Sequence, residues 1–196
     1  MMSRKEITRA DILPFDEYAA SRRERKKALT EMKKNRRMEV GPHATFYFES
    51  YETMWNQIHE MLYIERGGEN QIPDELVAYN PLIPQGRELV ATVMFEIGDA
   101  DRRAKVLANL GGVEETISIT VGGDKIRGVA ETDVDRTTDD GKASSVQFVH
   151  FPFTDAQADA FRQSEADVIV GFSHENYSHM AGMTGAVRAA LAKDFD

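Results

Sequence analysis

The sequence predicts an α+β fold, with one mostly antiparallel mixed sheet of about five to six strands, flanking helices and a long basic N-terminal helix. Three observations predict this class. Helical patterns come first along the chain, and segments with an apolar period of two follow from Glu88 onward. Glycine pairs and prolines separate these segments at short intervals, which is typical of hairpins and short connections.

The first long helix is predicted over residues 16–36. Asp16 can cap it, because a carboxylate accepts hydrogen bonds from the free N–H groups of a first helical turn. Its interior consists of good helix formers. Its apolar stripe is thin and contains Phe15, Tyr18, Leu29 and Met32. We therefore expect a helix that lies on the surface or projects from it.

The helix that follows is the best amphipathic segment of the chain. Ser50 caps it, and it covers about residues 51–66. Its polar side opposes the apolar stripe, and we expect that side to be solvated. The polar side consists of Glu52, Asn56, His59 and Tyr63.

The remaining elements follow from turn signals and periodicity. Further helices are predicted at 74–80, 99–110, 154–163 and 184–193. Strands are predicted at 44–48, 88–97, 117–121, 125–131, 145–153 and 168–172. The glycine pair at 122–123 predicts a hairpin turn, and 132–143 reads as a solvated acidic loop.

The composition excludes several classes of site. The chain has no cysteine, which excludes disulfides, thiolate metal sites and cysteine nucleophiles. Its first residues show no apolar signal segment, and no apolar run approaches the ~18 residues of a membrane span. We therefore expect a cytoplasmic protein that does not enter a membrane.

The charge is divided unevenly along the chain. Residues 1–37 carry twelve basic and six acidic side chains, a net charge of +6. Residues 38–196 carry twelve and twenty-seven, a net charge of −15. We therefore divide the chain into a basic N-terminal helical segment, 1–37, and a single acidic α+β domain, 38–196.

No motif predicts a cofactor or a metal. His174 and His179 are the nearest approach to a metal pair, but a spacing of five does not place two ligands on one helix face. The carboxylates of the acidic loop lack the spacing of a calcium loop. There is neither GxSxG nor GxGxxG. We expect no cofactor and no metal.

The basic helix is the strongest anomaly in the sequence. Its partner-binding residues are predicted to be Arg22, Arg23, Arg25, Lys26, Lys33, Arg36 and Arg37. Nucleic acid is one partner that such a helix could bind, but a body at −15 repels phosphates and no aromatic residue stands among these cations to stack on bases. An acidic protein surface suits the charge division better, whether on the same chain, on a second copy or on another protein.

Several stretches together resemble a known family. They are ITRADILPFDEYAASR (7–22), FYFE (46–49), ETMWNQIHEML (52–62), AYNPLIPQGRELVATVMFEI (78–97), DGKASSVQF (140–148) and HENY (174–177). Through them nearly the whole chain resembles the bacterial family catalogued as domain of unknown function 3501. Such families are often encoded near rubrerythrin-like and iron–sulfur oxidoreductase proteins. The resemblance therefore implies a redox-linked accessory role.

The resemblance and the composition together point to one region for a ligand pocket. Its predicted residues are Tyr47, Glu49, Glu60, Arg66, Tyr79, Asn80, His174, Asn176 and Tyr177. Polar side chains of mixed type could converge there on a small anion or a partner segment.

The function that the sequence favours is a non-catalytic interaction or accessory protein. Its basic N-terminal helix would dock on an acidic protein surface, that of a second copy or of a redox-linked protein. The alternative is a small-molecule- or metal-dependent enzyme with a site around Glu60, Arg66 and His174. A second alternative is nucleic-acid binding through the basic helix.

Overall fold

A computed structural model describes residues 4–131, 137–138, 141–163 and 165–196. The α+β class is confirmed. The α-helices of the described residues are α1 Phe15–Lys33, α2 Tyr51–Glu65, α3 Ile72–Tyr79, α4 Ala100–Leu107, α5 Asp155–Arg162 and α6 Gly185–Leu191. The strands are β1 Arg37–Val40, β2 Ala44–Phe48, β3 Glu88–Phe95, β4 Ile117–Val121, β5 Asp124–Arg127, β6 Val129–Ala130, β7 Val146–Pro152, β8 Val168–Phe172 and β9 Met180–Gly182.

The strands form two antiparallel sheets, where the sequence predicted one. The five-stranded sheet has the order β1-β2-β3-β7-β6, and the four-stranded sheet has the order β5-β4-β8-β9. The segment predicted as one strand at 125–131 passes from one sheet to the other at Gly128. A Cβ at Gly128 would lie 2.5 Å from Cγ1 of Val149, so the absence of a side chain allows the chain to cross closely over β7.

The main hydrophobic core lies between the two sheets. Phe46 of β2 and Phe172 of β8 meet there, with ring centroids 5.4 Å apart. Leu107, Phe161 and Leu191 bring α4, α5 and α6 against the same core. The side chains of each strand alternate between this core and the opposite face of its sheet.

A second core lies on the other face of the five-stranded sheet. Val90 of β3 points to that face and is buried against α2 and α3. Met54 and Ile58 supply the apolar stripe of α2, and Ile72 that of α3. We call this part of the molecule, formed by α1, α2, α3 and the segment before α1, the helical layer.

The helix caps show which local signals were reliable. Ser50 caps α2 as predicted, because its side chain accepts from the N–H of Thr53. α1 begins one residue earlier than predicted, after Pro14, so Asp16 lies in its first turn and does not cap it. α1 also ends earlier, because residues from Arg37 onward pair with β2 as a strand that the sequence analysis missed. The predicted acidic loop at 132–143 lies largely outside the described residues.

Candidate functional site

α1 packs on α2 through one carboxylate. Glu60 of α2 accepts a hydrogen bond from the hydroxyl of Tyr18, 2.7 Å from Oη to Oε1. Arg22 binds both oxygens of the same carboxylate, 2.8 Å from Nε to Oε1 and 2.8 Å from Nη2 to Oε2. Lys26 lies 3.0 Å from Oε2. Three successive turns of α1 are therefore tied to a single residue of α2.

This arrangement changes the acid–base behaviour of both partners. The hydrogen bonds from Arg22, aided by those from Tyr18 and Lys26, lower the pKa of Glu60 from 4.5 to about 2. Burial, together with the hydrogen bond to Glu60, raises the pKa of Tyr18. Glu60 is thus held as a carboxylate and Tyr18 as a neutral donor, which suits a structural contact better than proton transfer.

The side of α2 that was predicted to be solvated is exposed at Glu52, but the prediction is wrong for His59, which α1 and the segment before it cover. His59 is only 2% exposed. Its Nε2 accepts from the N–H of Leu13 at 3.0 Å, and its Nδ1 donates to the carbonyl of Trp55 at 2.7 Å. Burial lowers the pKa of His59. Both ring nitrogens are occupied and the ring is neutral, so His59 is not available as a metal ligand or a base.

Two arginines of α1 also lie over aromatic rings of α2. The guanidinium of Arg22 is 4.4 Å from the centroid of Tyr63, and that of Arg25 is 4.9 Å from the centroid of Trp55. The seam between α1 and α2 is therefore closed by cation–π contacts as well as by Glu60.

The predicted partner-binding residues fall into two groups. Arg22, Arg25 and Lys26 face α2, while Arg36 is buried and ion-paired with Asp194 at 2.6 Å. Of the remaining cations of the set, Arg23 and Arg37 are exposed and Lys33 is half-buried.

The outer basic face of α1, which we define by Arg23, Lys27 and Lys34, flanks the side of the helix that contacts α2. Helical spacing places these three side chains on one side, about 100° around the helix axis from the line of Arg22 and Lys26. All three are exposed. Lys34 pairs with Glu31 of the same helix, 2.7 Å from Nζ to Oε2. Within the part of the chain that the structure describes, Arg23 and Lys27 form no ion pair.

The early members of the predicted ligand pocket fall into two pairs, each with its own partners. The hydroxyl of Tyr47 donates to Glu96 at 2.9 Å, and Glu49 accepts from Thr92 at 2.6 Å, both on the five-stranded sheet. The hydroxyl of Tyr79 accepts from Gln57 at 3.4 Å. Asn80 binds the backbone of Ile7 through both amide atoms, at 2.8 and 2.9 Å, and so fastens the N-terminal segment.

The late members lie on the hairpin between β8 and β9. The Nδ1 of His174 accepts from the N–H of Asn176 at 3.1 Å, and its Nε2 donates to the carbonyl of Gly111 at 3.2 Å. Asn176 donates to the carbonyl of Asn109 at 3.0 Å. The hairpin belongs to the four-stranded sheet, whereas Glu60 and Arg66 belong to the helical layer. The structure therefore brings Glu60 and Arg66 into one region and places His174 in another.

Tyr177 joins the two sheets. Its hydroxyl accepts from the N–H groups of His43 and Ala44, each at 3.0 Å, and donates to the carbonyl of Val40 at 2.8 Å. The ring of His179 packs against it, with centroids 4.6 Å apart. No group of three or more potential ligands able to hold a metal occurs among the described residues.

A cavity of about 400 Å³ opens beside the α1–α2 seam. Arg66 stands at its wall, as do His59 and Tyr63. Arg66 was predicted from the sequence as a pocket residue, but the apolar residues that line the same cavity were not. The aromatic residues Phe15, Tyr18 and Tyr63 were the available signal, since they occur where the two helices were expected to begin and to end.

Comparison with known proteins adds a family. The family model described as "Protein of unknown function (DUF3501)" matches residues 6–195. The chain belongs to this family. The expected resemblance is thereby confirmed over nearly the whole chain, and membership of DUF3501 carries no assigned activity.

A solved structure supports the same fold. The chain is similar to a protein from Burkholderia pseudomallei K96243 whose crystal structure is described as that of a novel protein of unknown function. The two are 34% identical, with a TM-score of 0.89, over 97% of this chain and 99% of the other. No curated protein matches the chain. No helix in the described parts of this DUF3501 protein is long and apolar enough to cross a membrane.

Proposed function

We propose that the protein is a non-catalytic interaction protein of the cytoplasm, whose outer basic face of α1 docks on an acidic protein surface. The observation that carries this proposal is the division of α1 into two sides. Its inner cations share Glu60, while Arg23 and Lys27 on the outer side are exposed and form no ion pair with a described residue. Exposed cations on a rigid helix favour a partner whose surface carries negative charge.

The acidic domain of a second copy is a partner of suitable chemistry. Residues 38–196 carry a net charge of −15. Two copies can therefore place the outer basic face of one molecule against the acidic domain of the other. The redox-linked partner implied by the family resemblance would use the same face if its own surface is acidic.

Charge reversal on the outer basic face tests the proposal. The variant Arg23→Glu/Lys27→Glu/Lys34→Glu inverts that face and leaves the contacts to Glu60 intact. Sedimentation velocity should show association of the wild type at about 20 mM salt and dissociation at about 300 mM, where charges are strongly screened. The variant should remain monomeric at both salt concentrations.

A matched control variant has the same net charge as the α1 variant. The variant Lys105→Glu/Lys125→Glu/Arg127→Glu changes the charge by the same amount at three exposed cations outside α1. It should associate at least as well as the wild type, because the acidic domain becomes more acidic. A wild type that is monomeric at low salt, or a control that dissociates like the α1 variant, would contradict the proposal. A gel shift with duplex DNA at about 50 mM salt should show no binding, and binding there would favour the nucleic-acid alternative.

A further inference from the structure

The cavity beside the α1–α2 seam has the composition of a small-molecule site. We propose that it binds an amphipathic carboxylate, with the apolar body of the ligand inside and its carboxylate on Arg66. This inference goes beyond the proposed docking function and does not depend on it.

The walls of the cavity are mainly apolar and aromatic. Ile12, Leu62 and Ile72 supply aliphatic surface from the N-terminal segment, α2 and α3. Phe15 and Tyr63 form one side as a stacked pair, with centroids 5.3 Å apart and planes inclined by 7°. Phe15 remains 44% exposed although it is a large apolar residue. The volume of about 400 Å³ lies within the usual range of ligand pockets, roughly 300–1,000 Å³.

Most polar groups in the wall already have partners. Both ring nitrogens of His59 are bonded, and the hydroxyl of Tyr18 is bound to Glu60. The carboxylate of Glu69 is held by Arg9 through both oxygens, at 2.9 and 2.6 Å. A ligand would therefore meet few free donors or acceptors in the body of the cavity.

Arg66 is the exception. Its guanidinium lies 5.3 Å from the ring centroid of Phe15, and it forms no ion pair with any residue that the structure describes. A guanidinium presents paired N–H donors that fit the two oxygens of a carboxylate. The pairing of one such cation with an apolar cavity predicts a ligand that has one anionic end and an apolar body.

The backbone of Arg66 provides an independent observation. Arg66 ends α2 in the left-handed conformation, with φ 57° and ψ 32°, and among the described residues it is the one non-glycine residue at positive φ. Glycine is the usual residue at such a position, because a side chain is strained in the left-handed conformation. Within the described residues, folding gains from this side chain only the contact of its guanidinium with Phe15, so a second reason for the arginine is required. Its place at the cavity wall supplies one.

The substitution Arg66→Gly tests the proposal because it separates binding from stability. Glycine removes the steric strain of a side chain in the left-handed conformation. The variant should therefore unfold at the same urea concentration as the wild type or at a higher one. Trp55 is the single tryptophan of the chain, and its ring centroid lies 3.7 Å from that of His59. Because His59 lines the cavity, the fluorescence of Trp55 reports on ligand binding there. Decanoate should change this fluorescence saturably in the wild type, and its dissociation constant should rise at least about tenfold in Arg66→Gly.

Four controls define the chemistry. Decanol, which lacks the anion, and acetate, which lacks the apolar body, should each bind much more weakly than decanoate. Arg66→Lys, which keeps a cation, should recover part of the affinity. Lys105→Ala removes an exposed cation of α4, away from the cavity, and should bind decanoate like the wild type.

A variant that fills the cavity gives a further check. Leu62→Trp places a bulky indole ring in the wall and should abolish decanoate binding. Binding to this variant is measured by calorimetry, because the new tryptophan alters the fluorescence. Equal binding of decanol and decanoate, unchanged binding by Arg66→Gly, or unchanged binding by a folded Leu62→Trp would each overturn the proposal.

Discussion

Glu60 is the residue on which the contact between α1 and α2 depends most. Its side chain is 11% exposed and accepts hydrogen bonds from Tyr18, Arg22 and Lys26. The substitution Glu60→Gln should lower the free energy of unfolding at pH 7 by about 2 kcal/mol, because two cations lose their counter-charge in a partly buried seam. Urea unfolding of both proteins measures the difference.

The pH dependence of that difference has a definite sign. The pKa of Glu60 falls from 4.5 to about 2 on folding, so its contribution to stability is present above pH 4.5 and is lost as the pH falls toward 2. The gap between wild type and Glu60→Gln should therefore shrink over that range. A gap that stays constant from pH 5 to about pH 2.5 would show that the carboxylate is not stabilised by folding.

His150 should give the opposite dependence. It lies between two carboxylates, with Nδ1 2.9 Å from Oε2 of Glu88 and Nε2 2.7 Å from Oε1 of Glu131. Burial would lower the pKa of His150, but the hydrogen bonds to Glu88 and Glu131 outweigh burial and raise it above 6.5. The stabilisation is then present below pH 6.5 and is lost as the pH rises through the folded-state pKa.

The substitution His150→Gln tests this prediction. The wild type should lose free energy of unfolding relative to the variant between pH 6 and pH 9, as the imidazolium loses its proton. Urea unfolding at intervals of about one pH unit follows the change. Parallel curves for the two proteins would refute the prediction.

At the scale of elements, the hairpin between β8 and β9 acts as a structural tie. It contains HENY, which the sequence analysis placed in a ligand pocket. In the structure the hydroxyl of Tyr177 instead joins this hairpin to the turn between β1 and β2. Removing that hydroxyl leaves two N–H groups and one carbonyl without a partner in a buried place.

Tyr177→Phe should therefore destabilise the protein by about 2 kcal/mol. Tyr47→Phe is the matched control, because it removes a hydroxyl whose hydrogen bond to Glu96 is exposed to solvent. The control should cost less than about 0.5 kcal/mol. Thermal unfolding of both variants gives the comparison, and equal losses would mean that the hydroxyl of Tyr177 is not a tie between the sheets.

The helices show what local sequence signals can predict and where they stop. Ser50 predicted the start of α2, and the thin stripe of α1 predicted an exposed helix, because capping and amphipathicity are local properties. His59 on the polar side of α2 was wrongly expected to be solvated, since the packing of α1 over it depends on Tyr18 meeting Glu60 across 42 positions. The stripe residue Tyr18 gave no indication of which carboxylate it would bind.

At the scale of the whole molecule, the number of sheets depended on a contact between distant segments. Alternating residues predicted most of the strands, but they could not show that the chain changes sheets at Gly128, where it crosses Val149 of β7. The short strands β1 and β9 were missed because three or four residues carry too little periodicity. The uneven division of charge could be counted in the sequence. The sharing of Glu60 by Arg22 and Lys26 could be seen only in the structure.

Zero-length cross-linking with carbodiimide tests the docking of the outer basic face most directly. A mixture of ¹⁴N- and ¹⁵N-labelled protein at about 20 mM salt distinguishes cross-links between copies from those within one copy. We expect mixed-isotope cross-links that join Lys27 and Lys34 to carboxylates of residues 38–196, and we expect them to disappear at about 300 mM salt. Cross-links between copies that favour Lys105 and Lys125 over α1, or none at low salt, would contradict the account.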